Sequence, residues 1–478
     1  MTATKKTNYR WIICAMLFFA TTINYMDRQV LSLTWEDFIR PEFHWTNNHY
    51  GTITGIFSLF YAIAMLFAGS LVDKLDTKKG YLWSIGIWSV GACLHAICGV
   101  ATGWMVGLDE AALKAVTAAD TIGKITTASM TLFIIARCVL ALGEAGNFPA
   151  AIKATAEYFP KKDRAFSTSI FNAGSTIGAL IAPFCIPVLA QKYGWEAAFI
   201  IIGALGFVWM GFWVFLYKKP DRNPRVNAAE LEYINQDKED EEAAKAAAAE
   251  ETKDEKKISI WKAFSFKQTW AFIVGKGMTD GVWWFFLFWM PSFLKNNYQM
   301  SSTDTSFQIA IGALYLIVMI SILGGYLPTI FIKKGMNPYD GRMKAMLIFA
   351  FFPLLALGAQ PLAHVSYWIP VVLIGLAAAG HQSWSANIFS TVGDMFPKST
   401  IATITGIGGM AGGLGSFFIQ KGAGMLFDAS EAGNWSVFGA QGIHAGYMIM
   451  FTYCAVAYLI AWIIMKCLVP KYKPIVLE

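Results

Sequence analysis

The sequence predicts an all-α integral membrane protein: twelve transmembrane helices in two six-helix halves related by an internal repeat. Three observations predict it. The composition is 56% hydrophobic and only 15% charged over 478 residues, with 18 Trp and 36 Phe, a balance suited to lipid. Apolar runs of about 18 residues or more recur down the whole length, each long enough to cross a bilayer core, which a soluble enzyme with a greasy core does not do. A stretch of the first half also reappears, altered, 237 residues later, from Glu157 to Asp394.

Taken in order, MTATKKTNYR precedes an apolar run with no small-residue cleavage pattern after it, so an uncleaved first span is expected. Apolar windows of about 19 residues place spans near 11–34, 51–73, 80–102, 127–150, 165–190 and 195–217, then near 268–294, 306–331, 342–362, 365–390, 400–427 and 441–467. Between the sets runs a charged, Ala-rich stretch with almost nothing to bury, which reads as a solvated linker. The expected organisation is therefore a half at 1–217, a cytoplasmic linker at 218–262 and a half at 263–478. Within the linker VNAAELEYI suits a short amphipathic helix, and the insertion at 103–126 suits a small extracytoplasmic one. Lysines and arginines gather before span 1 (Lys5, Lys6, Arg10), between spans 2 and 3 (Lys74, Lys78, Lys79), between spans 4 and 5 (Lys161, Lys162, Arg164) and in the linker. Those loops alternate, which puts both termini in the cytoplasm. The seven cysteines fall in or beside apolar segments with no C-x-x-C spacing, and read as small core residues.

The repeat aligns EYFPKKDRAFSTSIFNAGSTIG, from Glu157, with DMFPKSTIATITGIGGMAGGLG, from Asp394, and sets Gly143-Glu144 on Gly380-His381. Two parallel six-span halves with a site between them resemble major facilitator transporters. The loop GSLVDKLDTKK, from Gly69, is similar to that superfamily's G-x-L-x-D-[RK]-x-G-[RK]-[RK] signature, with Asp76 where Gly is usual. The resemblance implies gating roles for Asp73, Lys74 and Lys78.

The chemistry lies in charges inside the spans. INYMDRQVLS puts Asp27 and Arg28 side by side in span 1, where each ion costs about 2.5 to 3.5 kcal/mol on insertion scales. Adjacent helical residues lie about 100° apart and do not face each other, so each needs a partner elsewhere. Span 4 offers Arg137 and Glu144, seven residues and two turns apart on one face. A buried pair that only holds spans 1 and 4 together is the structural alternative. The functional reading divides labour: an arginine keeps its proton and presents a fork matched to a carboxylate, so Arg28 or Arg137 suits an anionic substrate. A buried carboxylate changes charge as its arginine comes and goes, so Asp27 and Glu144 are the expected proton carriers.

N-Y-x-D-R in span 1, R-x6-E in span 4, and F-P-x-x-[DE]-R leading to F-N-x-G-S in span 5 resemble the anion:cation symporter family over nearly all of the chain. The resemblance implies proton coupling through Asp27 and Glu144, and substrate contacts from Arg28 and Arg137 with Tyr25, Asn172 and Ser175. In span 7, KGMTDGVWWFFLFWM sets Lys276 and Asp280 at i, i+4 ahead of Trp283, Trp284 and Trp289. A cation for a carboxylate, an acid for hydroxyls and an indole such as Trp284 for a sugar face make a reasonable sugar-acid site. With GHQSWSAN in span 10 this pattern is similar to the hexuronate branch, which implies contacts from His381, Gln382 and Asn387. A packing role for His381 and a lipid-facing belt for the tryptophans stand beside those readings. Ser175 replaces the longer polar residue of the galactonate carriers, so the two contact sets differ.

The expected function is import of hexuronates with protons by alternating access in a bacterial cytoplasmic membrane. Another sugar acid, galactonate or glucarate-like, is the alternative, and a non-transporting sensor of the same fold is a second. The expected partners are a small organic anion, protons and the bilayer, with no nucleic acid, no cofactor, no metal and a monomeric chain. No Walker-type loop or His/Cys cluster supports an enzyme.

Overall fold

The computed structural model describes residues 6–236, 260–397 and 400–475, and within them twelve helical passes. The first set is α1 (Tyr9–Thr34), α2 (Asn47–Leu75), α3 (Thr77–Ala96, continued by Cys98–Val106), α4 (Ala119–Glu144), α5 (Lys161–Tyr193) and α6 (Trp195–Leu216). The second is α7 (Lys267–Tyr298), α8 (Thr305–Val318, continued by Met319–Gly325 and Tyr326–Lys333), α9 (Pro338–Ala350), α10 (Trp368–Met395), α11 (Ile401–Ala432) and α12 (Ile443–Leu468). By length and apolarity alone seven helices qualify as spans, and an eighth if the pair bent by 48° at Ile97 counts as one. The remaining long helices, α1, α7, α10 and α11, carry the polar and small residues of interest. Large apolar side chains such as Phe67, Trp83 and Phe215 point outward, as a bilayer allows, while charged ones turn in.

Several boundaries differ from the sequence expectation. The α4 helix starts at Ala119 rather than 127, because ADTIGKIT continues the helix with an Asp120–Lys124 pair one turn apart. It ends at Glu144, and a second helix runs Asn147–Tyr158, so the expected span at 127–150 crosses a real break. The insertion holds the end of the helix Cys98–Val106, a single turn at Glu110–Leu113 and the start of α4. The α9 helix stops at Ala350, ahead of a 3-10 turn at Pro353–Gly358 where proline removes a backbone donor.

The linker is solvated only in part. Its short helix forms at Ala228–Asn235, with the Asn227 side chain accepting from the Glu230 amide at 2.9 Å. Glu230 is fully buried and accepts from Arg10 Nη1 at 3.0 Å and from the Tyr9 and Arg10 amides at 3.0 and 3.1 Å, which fastens this helix to the start of α1. Residues 237–259 of the expected linker lie outside the described residues, as does Lys5.

Both described chain ends lie on one face of the bundle. Hydrogen bonds joining the two sets of helices cluster on the opposite, far face. There α2 packs along α11, and Asp428 of α11 accepts from the amides of Asn47 and Asn48 at 2.9 and 2.8 Å and from Asn47 Nδ2 at 3.0 Å. These are donors that a helix start leaves without intrahelical partners. Lys421 donates to Asn48 Oδ1 at 2.6 Å and Thr52 Oγ1 at 2.7 Å. A second clasp joins the end of α1 to α7: Asp37 pairs with Lys295 and accepts from the Ser302 amide at 2.7 Å, and Trp35 Nε1 donates to Ser292 Oγ at 3.0 Å.

Candidate functional site

The site is built midway along the passes where α1, α2 and α4 meet α7. Arg28, on α1, does find its partner elsewhere: its Nε and Nη2 donate to one oxygen of Glu144 at 2.9 and 2.6 Å, both side chains being buried. The guanidinium also lies over four rings, Tyr61 at 4.8 Å, Tyr25 at 4.9 Å, Trp284 at 5.0 Å and Phe57 at 5.9 Å. Three come from the first set and Trp284 from the second, so the cation bridges the interface.

Arg137 differs. It is 1% exposed, none of its three guanidinium nitrogens has a hydrogen-bond partner, and its one close ring is Phe57 at 5.3 Å. Asp27, also 1% exposed, has both carboxyl oxygens unpartnered, with Glu144 and Arg137 as its charged neighbours. Burying such groups unpaired is costly.

The second set contributes a layer whose hydrogen bonds are largely made. Lys276 Nζ meets Asp280 Oδ2 at 2.7 Å, one helical turn on, and lies 4.1 Å from the Phe389 ring. Room for Asp280 comes from Gly412 on α11, where a Cβ would lie 2.1 Å from Oδ2. His381 Nδ1 lies 2.7 Å from the Tyr458 hydroxyl, which is itself 3.3 Å from the Thr279 carbonyl. The Tyr458 hydroxyl thus ties the imidazole of α10 to the backbone of α7. Trp283 stacks parallel to the imidazole at 5.8 Å. Trp289 is buried and donates to Gln420 at 2.8 Å, so neither tryptophan belongs to a lipid-facing belt.

The expected residues are not all brought together. Asn172 is exposed on α5, Ser175 Oγ donates to its own helix at Asn172 O at 2.6 Å, and Asn387 Nδ2 does the same to Ser383 O at 2.8 Å. Gln382 is half-buried on α10. In the loop after α2 the side chain of Asp73 lies outside the described residues. Lys74 is exposed, and Lys78 Nζ donates to the Val214 carbonyl at 2.7 Å. Asp76 sits at φ 69°, ψ 154°, a backbone region that suits glycine, and this accounts physically for the usual glycine there. Sequence reasoning missed Tyr61 and Phe57, which look like any apolar span residue, and Tyr458, whose role appears only through His381. It also passed over Asn24, although that residue stands in the quoted motif.

Two sets of six helices, closed on one face and enclosing partly unpartnered charges, are an arrangement that suits a membrane transport protein. The chain matches the Major Facilitator Superfamily profile over residues 17–419. It belongs to that superfamily. It is 26% identical over 421 residues to the hexuronate transporter of Escherichia coli (strain K12), covering 88% of each chain. It is 26% identical over 324 residues to the galacturonate transporter of Dickeya chrysanthemi, covering 68% of this chain and 83% of that one. Among solved structures it is similar to an inward-facing, occupied bacterial homologue of the human lysosomal transporter Spinster, with TM-score 0.67, 17% identity and 97% of each chain covered.

Proposed function

We propose that this chain is a proton-coupled symporter that imports hexuronates, glucuronate or galacturonate, across a bacterial cytoplasmic membrane. In this reading both termini are cytoplasmic, the far face is extracytoplasmic, and the monomer rocks its halves, 1–217 and 263–478, about the 218–262 connection. Relatives named as hexuronate and galacturonate transporters support the substrate class. The observation that carries the reading is Arg137, a buried guanidinium with no hydrogen-bond partner, set beside Asp27 and facing the same cluster as the Arg28–Glu144 pair.

A substrate carboxylate supplies what Arg137 lacks, two acceptors in a plane. A proton on Glu144 removes the charge that holds Arg28 and frees that fork as well; a proton on Asp27 removes the nearest competing anion. Tyr25 and Trp284 offer faces to the sugar, and Lys276, Asp280 and His381 read hydroxyls, with Gln382, Asn387, Asn172 and Ser175 around them. Asp73, Lys74 and Lys78 serve the cytoplasmic gate.

The test is counterflow in proteoliposomes with labelled glucuronate, galacturonate, galactonate and glucarate, followed by accumulation under an imposed pH gradient. Asp27→Asn and Glu144→Gln should lose gradient-driven accumulation, with exchange surviving in at least one. Accumulation insensitive to the gradient would overturn the coupling, and preference for galactonate or glucarate would move the substrate to another sugar acid.

A further inference from the structure

One group in the site has no role in the reading above. Asn24 is completely buried, and neither its amide nitrogen nor its amide oxygen has a hydrogen-bond partner. An unsatisfied buried amide is expensive enough that native chains rarely keep one without a use.

Helical spacing locates it. Thr21 accepts from Asn147 Nδ2 at 3.4 Å, and Arg28 binds Glu144. Asn24 falls three residues after Thr21 and four before Arg28, on the same face of α1, so it faces the junction between Glu144 and Asn147. Asp27 lies three residues on, also a neighbour on that face. Asp27 has both carboxyl oxygens unpartnered, and Glu144 has Oε1 unpartnered. Three acceptor oxygens without partners therefore lie on or against the stretch of α1 that carries this amide.

We propose that Asn24 is a positioning residue for coupling: its amide completes the hydrogen bonding of whichever of Asp27 and Glu144 carries the charge. This rests on the proton-coupled reading. The amide chemistry suits both protonation states, since the NH2 donates to a carboxylate and the carbonyl oxygen accepts from a neutral carboxyl O–H. The charged and titratable groups acting on Asp27 are Glu144 and Arg137 from α4, with the Trp88 indole and Cys93 thiol from α3 nearby; Tyr25 and Arg28 flank it on α1. Tyr25, Arg28 and Arg137 act on Glu144. Beside these groups Asn24 is uncharged and offers both a donor and an acceptor, so it can serve either carboxyl in either state.

The experiment compares wild type, Asn24→Leu and Asn24→Ser in proteoliposomes, normalised to folded protein. It measures counterflow against pH and accumulation under an imposed pH gradient. Asn24→Leu should keep counterflow at its best pH but lose about 10-fold in accumulation. A hydrogen bond to an ion outweighs one between neutral groups, so its counterflow profile should move up by about one pH unit. Asn24→Ser, which retains a donor and an acceptor, should recover most of both. In the Glu144→Gln/Asp27→Asn background, where neither of these carboxyls titrates, Asn24→Leu should leave the profile unmoved. If Asn24→Leu does not fold, Asn24→Ala carries the same expectations with less crowding. A wild-type profile and wild-type accumulation in the apolar variant overturn the proposal. Equal losses in the Leu and Ser variants, with an unshifted profile, reduce Asn24 to a packing residue and overturn it too. Wild type that ignores the gradient defeats the proton-coupled reading itself and takes this inference with it.

Discussion

Asp428→Asn tests the closure of the far face. The Asp428 carboxylate spans the two sets of helices, taking the Asn47 amide and side chain on Oδ1 and the Asn48 amide on Oδ2. An asparagine there keeps one acceptor oxygen and no charge. One charge-assisted hydrogen bond is lost, about 1.5 to 3 kcal/mol, together with the attraction of an anion for a helix start, about 0.3 to 1 kcal/mol. The sum, about 2 to 4 kcal/mol, moves the balance between closed and open far face by about 30- to 1000-fold. Thr54 lies two turns into α2 and is 2% exposed, so Thr54→Cys in a background freed of native cysteines reports opening. An impermeant thiol reagent applied from the far face should label it in proportion to the open fraction while that fraction is small. A labelling rate in folded Asp428→Asn within twofold of the parent would refute the clasp as a determinant of closure.

Arg28→Lys keeps the charge but loses the fork that now places two nitrogens on Glu144, so half-saturation for substrate should rise about 10- to 150-fold; an unchanged value in an uptake assay means that substrate never meets this group. Lys276→Gln and Asp280→Asn each strand a buried partner, whereas the double variant strands neither. If the pair reads hydroxyls, the double variant stays folded yet ranks glucuronate, galacturonate and galactonate differently; an unchanged ranking leaves the pair a structural tie. On the far face Glu42 accepts from Trp195 Nε1 at 2.8 Å beside Glu110 and Glu196, and burial, aided by those acids, raises it to about 7. Its unfolded value is about 4.3, so the folded chain holds the proton longer, and stability should fall as pH rises from about 4.5 to about 7 and level above. Glu42→Gln should flatten that decline in melting temperatures taken from pH 5 to pH 8.

What the sequence made legible was whatever is local. Adjacent placement said that Asp27 and Arg28 would part company, and Arg28 does pair elsewhere; i, i+4 spacing put Lys276 and Asp280 on one face, where they were read as substrate contacts and are found paired with each other. The six-plus-six pattern follows from bilayer thickness, which sets span length. Pairings across the fold were not legible. Nothing near Asp428 in MLFDASEAG says that it serves the start of a helix 380 residues earlier, and that acid reads like any charge at the end of a span. Tyr61 joins Arg28 only because tertiary packing holds α2 along α4 and α11, which also sets its ring edge-on to Trp284 of α7. The start of α4 was misplaced because hydropathy fades in ADTIGKIT while helix geometry persists.

The two halves reuse one scaffold for opposite chemistry. Gly143 precedes Glu144, and a Cβ there would lie 2.2 Å from the Trp88 amide nitrogen of α3; Gly380 precedes His381, and a Cβ there would lie 2.6 Å from Phe352, just past α9. Each glycine lets the fourth helix of its set press on the third, and each brings the next residue into the interior. In the first set that residue is a carboxylate sharing a layer with an unpartnered acid and an unpartnered guanidinium. In the second it is an imidazole held by Tyr458. Coupling needs affinity to differ between two charge states of the protein. A layer whose hydrogen bonds are largely made changes little when a proton arrives, whereas one with missing partners changes a great deal. On the proposed reading, the repeat would leave recognition of neutral hydroxyls to the second half, and the response to protons to the half left incomplete.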